Sequence, residues 1–471
     1  MSAPTLPASA YEALELPEST VKLLTTSKPS STSDIASPNL LQNAQSPEQR
    51  LAPNQSSIVL YAELLLHIRT VTLFASLRSV HTRETKAKLS TDGCEIIVSH
   101  EGEEARIRLP IEVQGGGDAA LELPAQPPSK ELTLRLQIEE KDGTDMLGPL
   151  QSEERKVNIV PWDGATLEAM DNVEICCKSC GSRVVNKGKV HEWRDLPNEN
   201  WAEMMDFWHC HKPDDHHLHD HTHDAVVGKK GYAAGNRLQA AEGLGFVDLA
   251  SFLLKEQDCG GAEVSFEQDG QEKSIQCKQC RHVLGAQDNS TEGWRIWKWC
   301  IGISTSDTSD TSSSPSSPPT PYFITYSTQK WISARILHLI ENSGVRKFHI
   351  HPSFPSHSPA SPSPSLPTST TSLLLWVFTL DLFYSSSIPS PLGRNDPVRA
   401  VKIFYQHQTW SPPQPGEVEK ADVEDVEWPE HLFWELKEAL EGSGKVLPVG
   451  SRGFKGWAVG LLERFDVGDL R

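Results

Sequence analysis

The chain has 471 residues, with 44 Lys and Arg against 63 Asp and Glu, a net charge of −19 with histidine neutral. So acidic a surface repels phosphate backbones and counts against general nucleic-acid binding. Hydrophobic residues at 37% with 31 glycines permit a core, while 33 prolines place part of the chain outside it.

The opening Met1-Ser2-Ala3-Pro4 lacks the basic start and apolar stretch of a secretory signal. The longest apolar-rich run, residues 373–384, falls short of the ~20 residues that cross a bilayer. These features predict a cytoplasmic or nuclear protein with no membrane association. Nine cysteines, an odd number in such a chain, then read as metal ligands before disulfides.

In chain order, residues 1–56 are rich in Ser, Thr, Pro and Gln and read as a disordered tail. Residues 57–160 read as an antiparallel β unit. Its segments 58–68, 70–77, 95–98 and 105–109 are short and β-branched or Leu-rich, separated by turns at Asp92-Gly93 and at 114–117. Residues 132–138 alternate with period two, the pattern of a half-buried strand. For 61–68 a helix is an alternative.

Residues 161–300 hold most cysteines and seven of the thirteen tryptophans. A Ser/Thr/Pro-rich linker follows at 301–321, then a C-terminal α+β region, 322–471, with a disordered Ser/Pro insertion at 352–372. Leu432, Phe433, Leu436 and Leu440 fall at helical spacing between Pro429 and a capping Gly442. Residues 456–462 read as a closing strand. The whole is α+β and β-rich: antiparallel sheets with a few helices, stapled by one structural four-cysteine zinc site.

That site comes from a repeat. Residues 175–180 read Ile-Cys-Cys-Lys-Ser-Cys and 275–280 read Ile-Gln-Cys-Lys-Gln-Cys. Aligning Ile175 with Ile275 places Cys177 on Cys277 and Cys180 on Cys280, and leaves Cys176 opposite Gln276. Val184 and Val283 follow in strand-like text, so each knuckle is expected at a hairpin turn. A C-x2-C turn aims two sulfurs at one ion, and zinc prefers four in a tetrahedron. Four cysteines leave no open position, which makes the zinc structural. The 96 residues between Cys180 and Cys277 form a loop that the metal would close.

Within that loop Trp201, Met204, Met205 and Trp208 recur at i, i+3, i+4 and i+7, one apolar helical face. It serves either the core or a partner, since Trp and Met anchors suit grooves. Seven histidines then occur within residues 209–223. They read as a solvated polar loop, with a metallo-hydrolase site as the sharper alternative. Cys210 beside His209 and His211 is a candidate nucleophile, or else a ligand or a packed thiol.

Several strings together resemble the HECT-like ubiquitin-conjugating-enzyme-binding family. They are Val160-Pro161-Trp162, both knuckles, and Asp195-Leu196-Pro197 running through Trp201 to Trp208-His209-Cys210-His211. Val283-Leu284-Gly285, Gly456-Trp457-Ala458-Val459-Gly460, and Leu60-Tyr61-Ala62-Glu63-Leu64 complete the set. The resemblance implies binding of a ubiquitin-charged conjugating enzyme and transfer of ubiquitin to a protein substrate. A HECT ligase relays ubiquitin through a cysteine in its C-terminal lobe, but no cysteine follows Cys300 here. A relay would have to use Cys210, Cys259 or Cys300, so positioning of the conjugating enzyme is the favoured mechanism. One quartet also speaks against a RING, which holds two zincs. The competing reading is a non-catalytic interaction protein that stabilises another complex.

Overall fold

A computed structural model describes residues 57–113, 120–121, 129–138, 158–170, 172–196, 238–265, 274–304, 323–353, 369–389, 394–412 and 422–470. The expected tail, the turn at 114–117, the Trp201–Trp208 helix face with Met204 and Met205, Cys210 and the histidine run lie outside them. Most of both Ser/Pro-rich stretches does too.

Among the described residues the strands fall into four sheets. The largest has nine strands, of which seven run in the order Gly453–Phe454, Trp457–Glu463, Val398–Trp410, Thr370–Ser386, Val59–Leu65, Thr70–Ser76 and Glu131–Gln137. Strands from the segments 57–160 and 322–471 are thus hydrogen-bonded into one sheet. The hinge of this arrangement is Thr370–Ser386, 17 residues long. It pairs with Val398–Trp410 along one edge. Its other edge is shared: Lys347–Pro352 lies against residues 373–376 and Val59–Leu65 against 383–386. Glu424–Trp428 extends the Lys347–Pro352 branch in parallel.

Alternation decides which face each side chain joins. Along Val59–Leu65, Leu60, Ala62 and Leu64 enter a core formed against the four-stranded sheet of Lys86–Leu89, Glu95–His100, Glu103–Arg108 and Ala120–Leu121. The helical alternative for 61–68 gives way to strand through Leu65, because only period two puts these three on one face, and Leu66–Ile68 follow as a short 3-10 turn. On Val398–Trp410, Val401, Ile403 and Tyr405 enter a different core. That core is shared with the helices α1 (Gly164–Ala169), α2 (Thr328–Ser343) and α3 (Glu430–Ser443) and with the knuckle region.

Helix α3 buries Leu432, Phe433, Leu436 and Leu440, with Pro429 at its start. It runs two residues further than expected: Gly442 lies inside it, Ser443 ends it and Gly444 follows. Gly460 lets the helix approach Trp457–Glu463, since a Cβ there would sit 2.7 Å from Leu440 Cδ2.

The other departures concern linkers and strand direction. Ile301–Ser304 is a strand, not linker, because Ile301 and Ile303 are buried beside the first knuckle. The second Ser/Pro-rich stretch has paired ends: Pro352 closes one strand, and Thr370 to Ser372 open another, opposite Trp410 to Gln408. The architecture is β-rich with mostly antiparallel sheets, yet Glu192–Asp195 runs parallel to Leu244–Val247. No described helix is long and apolar enough to cross a membrane.

Candidate metal centre

Each knuckle is the bend of a short hairpin. Glu174–Cys177 pairs with Arg183–Val185, and Ser274–Cys277 with Val283–Asp288. The two bends have the same hydrogen bonds. Cys177 N donates to Ser182 O at 2.8 Å and Gly181 N to Cys177 O at 2.8 Å; Cys277 N donates to His282 O and Arg281 N to Cys277 O, both at 2.9 Å. The residue after the second cysteine is left-handed in both, Gly181 at φ 72° and Arg281 at φ 63°. Glycine takes that conformation freely, whereas an L-residue pays a steric cost.

The likeness extends outward. Ile301–Ser304 flanks the first knuckle strand with Ile301 opposite Cys177, and Ala262–Val264 flanks the second with Ala262 opposite Cys277. Lys178 N donates to Cys300 O and Lys278 N to Gly261 O, both at 3.0 Å. The first knuckle thus takes its outer strand, Ile301–Ser304, from a distant part of the chain, and the second takes Ala262–Val264 from the segment just before it. Ser251–Leu254 pairs antiparallel with Gly293–Trp297 within the seven-stranded sheet that carries the second knuckle.

The hairpins bring Cys177, Cys180, Cys277 and Cys280 together, all four sulfurs within 4.8 Å of one another. Cys177 Sγ lies 3.7 Å from Cys280 Sγ, and Cys180 Sγ 3.7 Å from Cys277 Sγ. That is far beyond a disulfide's ~2.05 Å. Four sulfurs at ~2.3 Å from one ion in a tetrahedron sit ~3.8 Å apart. The spacing therefore fits a single tetrahedral metal.

Electrostatics agree. Burial pushes the Cys177 thiol well up and raises Cys280 as well. At Cys180 burial is outweighed, chiefly by the Ser182 hydroxyl and backbone, which bring its thiol down to about 6. A bound cation would favour the thiolate form of all four sulfurs.

Ser182 was not singled out by the spacing argument. Its Oγ is 3.0 Å from both Cys180 Sγ and Cys277 Sγ, bridging the knuckles as a hydroxyl beside the sulfurs. Its place two residues after Cys180 was the available signal.

The other described cysteines are separate. Cys176, Cys259 and Cys300 are buried, at 2%, 1% and 4% exposure. Burial raises Cys176 to about 11 and Cys300 to about 12, and Cys259 further. Cys94 is partly exposed, and burial followed by Asp92 raises its thiol too. Trp294 and Trp299, just before Cys300, are buried, and Trp297 is partly buried.

Fold and site define a β-rich protein in which a pair of facing cysteine knuckles brings together four sulfurs that could hold one metal ion. The chain belongs to the HECT-like ubiquitin-conjugating enzyme (E2)-binding family, whose pattern matches residues 63–459. Membership implies a ubiquitin-conjugating enzyme as partner. The chain is similar to an uncharacterized protein of Schizosaccharomyces pombe, 27% identical over 313 residues, covering 65% of this chain and 78% of that one. A second uncharacterized protein, from Saccharomyces cerevisiae, is 20% identical over 369 residues, 77% of this chain and 89% of that one. An E3 ubiquitin-protein ligase of Pongo abelii is 26% identical over 160 residues, 33% of this chain and 36% of that one. No solved structure matches the chain.

Proposed function

We propose that the protein binds a ubiquitin-charged conjugating enzyme and promotes ubiquitin transfer to a substrate by positioning, on a platform stapled by one structural zinc. The family match over residues 63–459 is the observation that carries the partner. The state of the cysteines supports positioning over a relay. A thioester relay needs an accessible thiolate, and Cys259 and Cys300 are buried thiols with strongly raised pKa values. Cys177, Cys180, Cys277 and Cys280 would hold the zinc, which supplies cross-linking of distant strands and no Lewis-acid chemistry towards a substrate.

The test is single-turnover discharge of a panel of ubiquitin-loaded conjugating enzymes by the full chain and by its Cys210→Ala and Cys94→Ala variants. Faster discharge of at least one enzyme, unchanged in both variants and with no reducible ubiquitin adduct on this chain, is the expected result. An adduct that disappears in one variant would establish a relay instead.

A further inference from the structure

One face of the nine-stranded sheet packs against helices and the four-stranded sheet. The opposite face carries a separate apolar cluster, including Tyr61, Leu382, Tyr384 and Leu461. Residues 444–452, which leave the end of α3, strap part of it: Leu447 and Val446 pack on the cluster, and Ser386 Oγ donates to Val446 O at 2.8 Å.

Next to the strap the face is open and aromatic. Trp376 meets Phe378, Phe404 and Trp457 with ring centroids 5.7, 5.4 and 6.0 Å apart. Phe404 stacks with Phe378 at 4.7 Å and with Phe454 at 5.5 Å. Phe378 and Phe454 are 48% and 46% exposed. Single exposed apolar residues are ordinary on a protein surface, whereas five touching rings on one sheet face mark a surface built to be covered.

The border of this strip has a charge opposite to that of the chain. Residues 444–456 contain Lys445, Arg452 and Lys455 and no carboxylate, in a chain of net charge −19. All three are exposed. Arg452 donates only to the carbonyls of Leu447 and Lys445, and Lys455 Nζ lies 5.4 Å above the Phe454 ring. Among the described residues none of the three has a carboxylate partner. Uncompensated cations beside an apolar strip select a partner surface that is apolar at its centre and acidic at its rim.

We infer that this aromatic face is where the conjugating enzyme docks, through an apolar surface bordered by carboxylates. The inference rests on the proposed function, and every ring in the strip lies within the residues that match the family. Exposed aromatic anchors provide the affinity, and the basic border provides orientation and on-rate.

The experiment measures binding of the full chain to a panel of ubiquitin-charged conjugating enzymes, with sedimentation of the chain alone alongside. Phe378→Ser combined with Phe454→Ser is expected to weaken binding at least tenfold while far-UV circular dichroism stays native. Lys445→Glu with Lys455→Glu is expected to slow association and remove its salt dependence. Trp434→Ser, an exposed aromatic on α3, is expected to change nothing. Undiminished binding in the phenylalanine variant would overturn the docking face and leave the proposed function standing. No binding by the wild type to any enzyme of the panel would overturn both. A self-associated wild type that the phenylalanine substitutions convert to monomer would assign the face to a second copy of the chain instead.

Discussion

The two knuckles share backbone hydrogen bonds, outer-strand pairing and ligand spacing, yet differ in what surrounds them. The first is built into the core side. Lys178 Nζ donates to Tyr326 O at 2.8 Å and Trp299 O at 3.3 Å, and burial lowers its pKa. Trp299 in turn donates its indole N–H to His431 Nε2 at 3.1 Å, at the start of α3. The second faces solvent: Lys278 is exposed, reaching Gly260 O, and Arg281 forms an exposed ion pair with Glu263. One local sequence thus dictates one local turn, while the rest of the chain decides how much each turn supports.

The largest expected effect ignores this asymmetry. If one ion joins the knuckles, Cys177→Ser and Cys277→Ser each lose stoichiometric zinc and the cooperative unfolding transition. Structural zinc sites carry apparent free energies of ~10–16 kcal/mol against domain stabilities of ~5–15 kcal/mol. Elemental analysis and thermal denaturation check this. Retention of one zinc per chain in either variant would break the equivalence.

The next effect should be one-sided. Lys178→Met strands two carbonyls that Lys178 now satisfies and should cost about 1–3 kcal/mol. Lys278→Met, at the exposed counterpart, should stay within about 0.5 kcal/mol. Denaturant titration separates them, and equal losses would contradict the assigned difference in burial. Smaller still, Arg281→Gly relieves a left-handed L-residue and should stabilise by up to ~1 kcal/mol. Gly181→Ala should destabilise by a similar amount, with its new Cβ 3.3 Å from the Phe323 ring.

A pH effect sharpens the contrast. Burial, aided by the charge of nearby His282, lowers His431 to about 4. It stacks on Trp297 at 4.6 Å while accepting the Trp299 indole bond, so its neutral form is the one the fold uses. The unfolded chain takes up this proton near pH 6.5 and the folded chain only near 4. Its contribution is therefore complete above about pH 6.5 and is lost as pH falls from there through about 4. His431→Gln should show a shallower drop in Tm than wild type between about pH 7 and pH 4.5. An unchanged difference would remove His431 from the support of the first knuckle.

The repeat was readable because both knuckles need the same cysteines at the same spacing, and their hairpins follow from Val184 and Val283 beyond each turn. The period-two segments were readable for the same local reason: Leu132 and Leu134 are buried where alternation puts them. Partner choice was not. Nothing near Val59 announces pairing with residues 383–386, because register is set by which apolar face finds a matching one across the molecule. Ile301 and Ile303 were lost to a neighbouring Ser/Thr-rich stretch whose composition outweighed two residues. The aromatic face escaped for a related reason: Trp376, Phe378, Phe404, Phe454 and Trp457 come from three separate segments that only the sheet order brings together.

The most direct measurement is the metal content and sulfur coordination of freshly purified protein, by elemental analysis with X-ray absorption. One zinc per chain with four sulfurs at ~2.3 Å is the expected result. Metal-free protein that folds cooperatively, or zinc bound through nitrogen or oxygen, would contradict a platform clasped by Cys177, Cys180, Cys277 and Cys280.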